Sequence, residues 1–180
     1  SATNLAAFAD SQIAALTAGQ IGALSTQQVN ALTATNIAAL TETQAAALTT
    51  TQIAGLSATA ASAFGATHIA AMSVTQVRAF SATQLSALST GDIAEFTETQ
   101  VAGLLTTQIQ ALSNTNLAAL AETQIAALSA TQVQAISTGG VAALTETQIG
   151  ALTTTQIAAM STSQVRAFTN ANLSALAADQ

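Results

Sequence analysis

Few residues in this chain are of a type that could do chemistry. There is one histidine, His68, with two arginines, Arg78 and Arg166, and eight carboxylates, and no Cys, Lys, Tyr or Trp among 180 residues. A metal centre wants several ligands of matching type, and His68 has none near it in sequence. Asp92 and Glu95 stand three apart in Gly91-Asp92-Ile93-Ala94-Glu95-Phe96, a spacing that could place both on one helix face. Paired carboxylates can do acid–base work, but no other polar group of suitable kind converges there. Ser and Thr are abundant, yet no His or Lys stands by to activate one as a nucleophile. Gly139-Gly140 lacks the Lys-Ser/Thr that would follow in a phosphate loop. The expectation is no catalytic residue, no cofactor and no metal site. The chain does not read as an enzyme.

Composition narrows the choice further. The net charge of −6 with only two Arg argues against nucleic acid, which needs clustered cations to neutralise phosphates. It also offers no polybasic patch to an anionic membrane surface. Ser, Thr or Gln interrupts the apolar residues every few positions, far short of the roughly 18 a spanning helix needs. No signal peptide is visible, since Ser1 already stands in repeat register. Residues are 50% hydrophobic but only 3% aromatic, with Ala supplying much of the total, so any core must be thin and closely approached.

What must position these residues is a period of eight. Gln or a substitute recurs at 12, 20, 28, 36 and onward to 180 without a slip. Every eighth residue from Phe8 to Leu176 is Leu, Phe, Met or Ile, and the site three earlier is Ile, Val or Leu except at Ala45 and Ala61. The residue before the large one is Ala, apart from Gly55, Glu95 and Gly103, which marks close backbone approach. The residue before that accepts Asn30, Arg78, Gln110 and Arg166, so it faces water. In Leu144-Thr145-Glu146-Thr147-Gln148-Ile149, Thr145 can cap the Gln148 N–H while Gln148 reaches back to the Thr145 N–H, a capping box. Leu144 and Ile149 have the spacing of a hydrophobic staple. Glu42, Glu98, Glu122 and Glu146 follow the cap, where the helix dipole favours a negative charge. His68 and Asp92 both occupy the Gln position and read as substituted capping residues.

One continuous helix does not fit, because eight residues advance the apolar stripe by about 80° beyond two turns and each cap would be wasted. Thr-x-Thr favours strands, but Gln-Ile-Ala-Ala-Leu does not alternate and its residues are good helix formers. The predicted fold is all-α: a solenoid of very short helices of about seven residues, one per octad, each ended by the next N-cap. One loop residue cannot easily reverse a chain, so a bend nearer 120° is favoured, giving three helices and 24 residues per coil; a two-helix or looser coil is the alternative. Three per coil would bring His68 and Asp92 into adjacent layers. One octad buries two aliphatic side chains worth about 2 kcal/mol each against an ordering cost of about 1.5 kcal/mol per residue, so stability must come from stacking.

Residues 1–180 thus read as a single continuous array of about 22 octads, a segment of a longer array or a unit that stacks end to end. A longer repeat lies above the octad, since Thr67–Phe80 returns as Thr155–Phe168, 88 residues on. That distance is not a multiple of 24, so Arg78 and Arg166 are not expected to form one aligned site. The string Leu-Thr-x-x-Gln-Ile-x-Ala-Leu, seen at Leu152–Met160 and near it at Leu120–Leu128, resembles the octad arrays of some very long bacterial surface and secreted adhesin-like proteins. It is also similar to the opening of TAL effector repeats, but those are several times longer and carry a base-reading loop, so DNA reading does not carry over. The adhesin-like resemblance implies a stalk, spacer or fibre segment outside the cell.

The expected function is therefore a structural repeat protein, a rigid extracellular rod, stalk, spacer or filament segment. Its expected partners are itself or neighbouring repeats, end to end or side by side, with no nucleic acid, membrane insertion or small-molecule ligand. Two Arg and no Lys leave trypsin-like proteases little to cut. The alternative is a regular Thr/Ser/Gln surface binding a repetitive target such as ice or polysaccharide. Ranks of Thr-x-Thr facing one way would need the β-solenoid form, because residues i and i+2 diverge on a helix.

Overall fold

The computed structural model describes residues 5, 7–178 and 180. Among them the chain forms one short helix per octad, 21 in all from Asp10–Ala14 to Asn170–Ala175, with no strand. Most are five or six residues long, and Ala58–Ala61 has four. With its two cap residues, a typical helix fills the octad.

The corner between helices is two extended residues. Leu144 (φ −61°, ψ 139°) closes one helix and Thr145 (φ −71°, ψ 162°) caps the next. Both conformations suit any L-residue, and no described residue has a positive φ. Gly is therefore not needed to end a helix. The large apolar residue and the capping hydroxyl do it together, the first turning inward and the second binding the new helix's N–H.

The chain divides into two compact units, Ser1–Glu95 and Phe96–Gln180, with the same internal plan. In the first, Ala18–Gly22 packs on Glu42–Ala46, which packs on Ala66–Ala71, which packs on Thr90–Ala94. In the second, Glu98–Gly103, Glu122–Ala126, Glu146–Gly150 and Asn170–Ala175 stack in the same way. Each helix rests on the one three octads away, so three helices make a coil. The helices carrying His68 and Asp92 lie against each other, one coil apart.

Two aliphatic columns form the core. The Ile/Val/Leu column is buried at Ile37, Ile53, Ile69, Ile125 and Ile149, and the large column at Leu48, Phe64, Phe80 and Leu152. Phe64 and Phe80, on two sides of one coil, meet edge to face at 6.1 Å. The Ala before each large residue is half-buried along most of the array. Gly55 stands at this position, and a Cβ there would overlap Thr26 Cγ2 of the coil before. The smallness read from the repeat is thus a contact between coils.

A coil also has a direction. Near the start of the first unit, Ile13 and Ile21 are 0% exposed while Leu16 and Leu24 are part-exposed. Near the end of the second, Val165 and Leu173 of the Ile/Val/Leu column are 44% and 51% exposed. The Ile/Val/Leu column therefore packs toward the coil that follows.

Candidate functional site

The most constrained polar group is the recurring Gln. An α-helix leaves its first four N–H and last four C=O groups without partners, so a helix of five or six residues is almost all terminus. Its stability rests on what caps it. At the N-terminus the capping box forms as its residues predict: Gln148 N–H donates to Thr145 Oγ1 at 3.2 Å, and Thr145 N–H donates to Gln148 Oε1 at 2.8 Å. Where the cap residue is Ala9 or Leu105, with no side-chain acceptor, the return bond to Gln persists at 2.8 Å. The amide oxygen can close a corner without the hydroxyl.

The other end of the same amide reaches the preceding coil. Gln148 Nε2 donates to the Leu117 carbonyl at 2.9 Å and the Leu120 carbonyl at 2.6 Å. Gln44 does the same to Ile13, Ala14 and Leu16, at 2.9, 3.2 and 2.6 Å. Gln52 reaches Ile21 and Leu24, Gln84 reaches Ile53 and Leu56, and Gln156 and Gln164 repeat the pattern in the second unit. Gln124 and Gln180 bond to the Phe96 and Leu152 carbonyls. One side chain thus starts its own helix and closes a helix one coil earlier. The interior Gln side chains are accordingly buried, Gln148 at 1% exposure, and no buried side-chain N or O among the described residues lacks a partner.

The sequence identified the N-cap half of this device and missed the inter-coil half. A sign was present. Glu closes a capping box as well as Gln, yet no octad has Glu at this position. Gln, Asn or His, each of which carries a donor, holds the position in every octad except those of Ala60, Asp92 and Gly140.

His68 is a working substitute. Gly65 N–H donates to its Nδ1 at 3.1 Å, so Nε2 carries the proton and donates to the Leu40 carbonyl at 2.6 Å. Asn172 spans the same gap with Nδ2 on the Leu144 carbonyl at 3.0 Å. Asp92 supplies only the acceptor half, taking bonds from the Ser89 N–H at 3.0 Å and Ser89 hydroxyl at 2.6 Å. Ala60 and Gly140 keep only the hydroxyl cap, from Ser57 at 3.1 Å and Ser137 at 3.0 Å.

The carboxylate pair does not converge. Asp92 is buried and Glu95 is exposed, because the Gln position faces the preceding coil and the Ala position before Phe96 lies at the rim. Glu42, Glu98, Glu122 and Glu146 are all exposed in first turns. Three of them border open grooves between stacked corners, of about 370 Å³ at Glu42 and 420 Å³ at Glu98 and Glu146. Arg78 and Arg166 are exposed, and no group of three or more His, Cys, Asp or Glu side chains gathers among the described residues.

The surface hydroxyls differ from expectation. The N-cap residue is extended, not helical, so its hydroxyl meets that of the residue two on. Thr33 and Thr35 Oγ1 atoms are 2.8 Å apart, Ser113 and Thr115 hydroxyls 2.8 Å, and Thr145 and Thr147 hydroxyls 3.0 Å. Paired hydroxyls therefore do not need a β-solenoid.

Short capped helices, three to a coil and joined by a buried amide ladder, define a helical-solenoid repeat protein. Residues 117–154, four consecutive coil sides with their ladder positions, are similar to the ALTTAQ repeat family. No curated protein matches the chain.

Proposed function

We propose that this chain is a structural repeat segment, a rigid extracellular rod or spacer that holds or links other domains, with neighbouring repeats as its partners. One observation carries the reading. The polar side chains that are buried are engaged in closing corners and joining coils, so the array's chemistry is its own cohesion. Within each unit such an interior resists bending, because most coils are tied to the next by several hydrogen bonds as well as aliphatic contact. The exposed surface, with two Arg and no Lys, suits a protease-rich exterior. The octad's resemblance to bacterial adhesin-like arrays points the same way, to the cell surface or beyond it. On this reading the protein is not an enzyme and carries no cofactor.

The test is small-angle scattering on the 180-residue chain and on versions shortened by 24 and 48 residues. The maximum dimension should fall by equal steps while the cross-section stays constant. A maximum dimension that scales as for a compact globule, or a flexible-chain profile, would overturn the rod.

The hydroxyl pairs favour a second reading, recognition of ice or polysaccharide. The pairs at 113, 129 and 145 stand 16 residues apart, so with three sides per coil they fall on three different sides. No single ranked face results, which makes this the weaker reading. Thermal hysteresis, or co-sedimentation with an insoluble polysaccharide, would restore it.

A further inference from the structure

Where the ladder is intact, a corner peptide is held from both sides. The Leu144–Thr145 peptide gives its N–H to Gln148 of its own helix at 2.8 Å and accepts from Asn172 Nδ2 of the next coil at 3.0 Å. The Leu40–Thr41 peptide lies in the same way between Gln44, at 2.7 Å, and His68 Nε2, at 2.6 Å. The Phe64–Gly65 peptide departs from this. Its N–H donates to His68 Nδ1 at 3.1 Å, and the ladder residue 28 positions on, whose side chain meets the carbonyl at other corners, is Asp92. Asp92 Oδ2 takes the Ser89 N–H at 3.0 Å, as Asn172 Oδ1 takes the Thr169 N–H at 3.0 Å. The other Asp92 oxygen therefore stands where the Asn172 donor stands, and turns an acceptor toward an acceptor. Asp92 is only 6% exposed, so water screens little of that contact.

His68 and Asp92 are the only titratable residues at the Gln position, and Gly65 is the only glycine at the capping position. All three meet at one peptide. Nothing in the observed conformation asks for glycine there. Its φ of −87° suits any residue, a Cβ would meet nothing closer than His68 Nδ1 at 3.9 Å, and Ala9 and Ala121 serve as caps elsewhere.

We propose that the Phe64–Gly65 peptide is a proton-operated switch that turns over when His68 becomes an imidazolium. At neutral pH Nε2 carries the single ring proton for the Leu40 carbonyl, and Nδ1 can only accept. A proton taken from solvent in mild acid makes Nδ1 a donor facing the Gly65 N–H. Rotating the peptide by about half a turn repairs both sides at once. The Phe64 carbonyl then accepts from Nδ1–H, and the Gly65 N–H donates to the Asp92 carboxylate. Both new bonds are charge-assisted. The rotation carries Gly65 φ to roughly +90° with ψ still extended, a region essentially reserved for glycine. The charged groups facing His68 from the packed helices are carboxylates. Glu42 lines the groove beside it on the coil before, and Asp92 and Glu95 lie on the coil after. Ala34–Ala38 and Ala82–Ala87, packed on the helix that leads into this corner, carry none. The device ties the two coils together in mild acid where two oxygens face each other at neutral pH.

Nitrogen–nitrogen scalar coupling across the Gly65–His68 hydrogen bond reads the switch in the isotope-labelled chain. It should be present at about pH 7 and vanish by about pH 5, the range over which histidine changes charge, as Gly65 φ turns from negative to positive in dipolar couplings. A coupling that persists, or one that vanishes with Gly65 φ still negative, would overturn the proposal. Asp92→Asn removes the charge that receives the rotated N–H and should keep Gly65 φ negative in mild acid; rotation undiminished there would also overturn it. Gly65→Ala fits the observed conformation and forbids the rotated one, with circular dichroism at neutral pH confirming its fold. Over the same pH fall its unfolding constant should rise about tenfold more than that of the unaltered chain, the cost of one unmade buried bond. His68→Gln in both backgrounds should remove that difference. Equal pH dependence with Gly65 and with Ala, or a difference that survives His68→Gln, would refute the switch.

Discussion

At the scale of the residue, the unit of cohesion is an amide with two jobs. Gln148 accepts one bond at its own corner and donates two to the coil before it, at 2.8, 2.9 and 2.6 Å. A net hydrogen bond contributes about 1 kcal/mol, so Gln148→Ala should lower unfolding stability by about 3 kcal/mol. Thr145→Ala should lower it by only about 1 kcal/mol, as tolerated caps such as Ala9 and Ala121 suggest. Gln148→Glu separates the jobs, since it keeps the acceptor and sets a buried carboxylate against two carbonyls. It should destabilise at least as much as Ala at neutral pH, and less as acid protonates it and restores a donor. Chemical denaturation of the three variants reads the order; equal losses for Thr145→Ala and Gln148→Ala would mean the inter-coil bonds contribute nothing. The reverse substitution is Asp92→Asn, which gives that corner the donor Asn172 already uses on Leu144. It should raise stability by about 1 kcal/mol, measured in the same way, and an unchanged or lower midpoint would refute it.

At the scale of the element, helices this short do not form alone, because nucleation outweighs what five or six residues return. They exist because both ends are capped from outside. Tight stacking then limits what the facing positions can hold. A Cβ on Gly55 would overlap Thr26 Cγ2, so Gly55→Ala must push the Thr26 side chain into another rotamer or separate two coils. We expect a loss of about 1 kcal/mol, within the usual cost of overpacking, despite the better helix propensity of Ala. Thr26→Ala should relieve it. A double-mutant cycle with no coupling between the two sites would show that the approach is not limiting. The octad at Ala58–Ala61 is the weakest by the same logic, having neither an amide at position 60 nor a large residue at 61. Phe64, 1% exposed and packed on Phe80, fills that stretch of core instead.

At the scale of the molecule, the rule joining coils has a period of eight although the coil has a period of 24. A ladder amide needs a corner carbonyl 28 residues earlier, and every octad provides one. Deleting Ser129–Ile136 should therefore be absorbed: Gln148 would meet the Leu112 carbonyl in place of Leu120. Deleting four residues, 133–136, instead puts a cap where a core residue belongs. The eight-residue deletion should keep helical content per residue and cooperative melting, and the four-residue deletion should lose a large part of both by circular dichroism. Similar losses in the two would mean that the coil, not the octad, is the unit of register. The 88-residue duplication fits this rule, being a whole number of octads and not of coils.

The octad by itself determined the secondary structure, the two core columns, the corner and its capping box, because these depend on residues within eight positions of each other. Leu144 through Ile149 contains that whole argument. Three helices per coil was favoured by the shortness of the corner and decided by packing, since only the stacked coils show which helix meets which. The second role of Gln148 belongs wholly to tertiary structure. Its partners Leu117 and Leu120 are 31 and 28 residues away, and no local pattern says that an amide already closing one helix must also end another. The physical reason is the shortage of internal bonds in so short a helix. Its unpaired carbonyls must find donors, and the coil that follows is where the fold brings them.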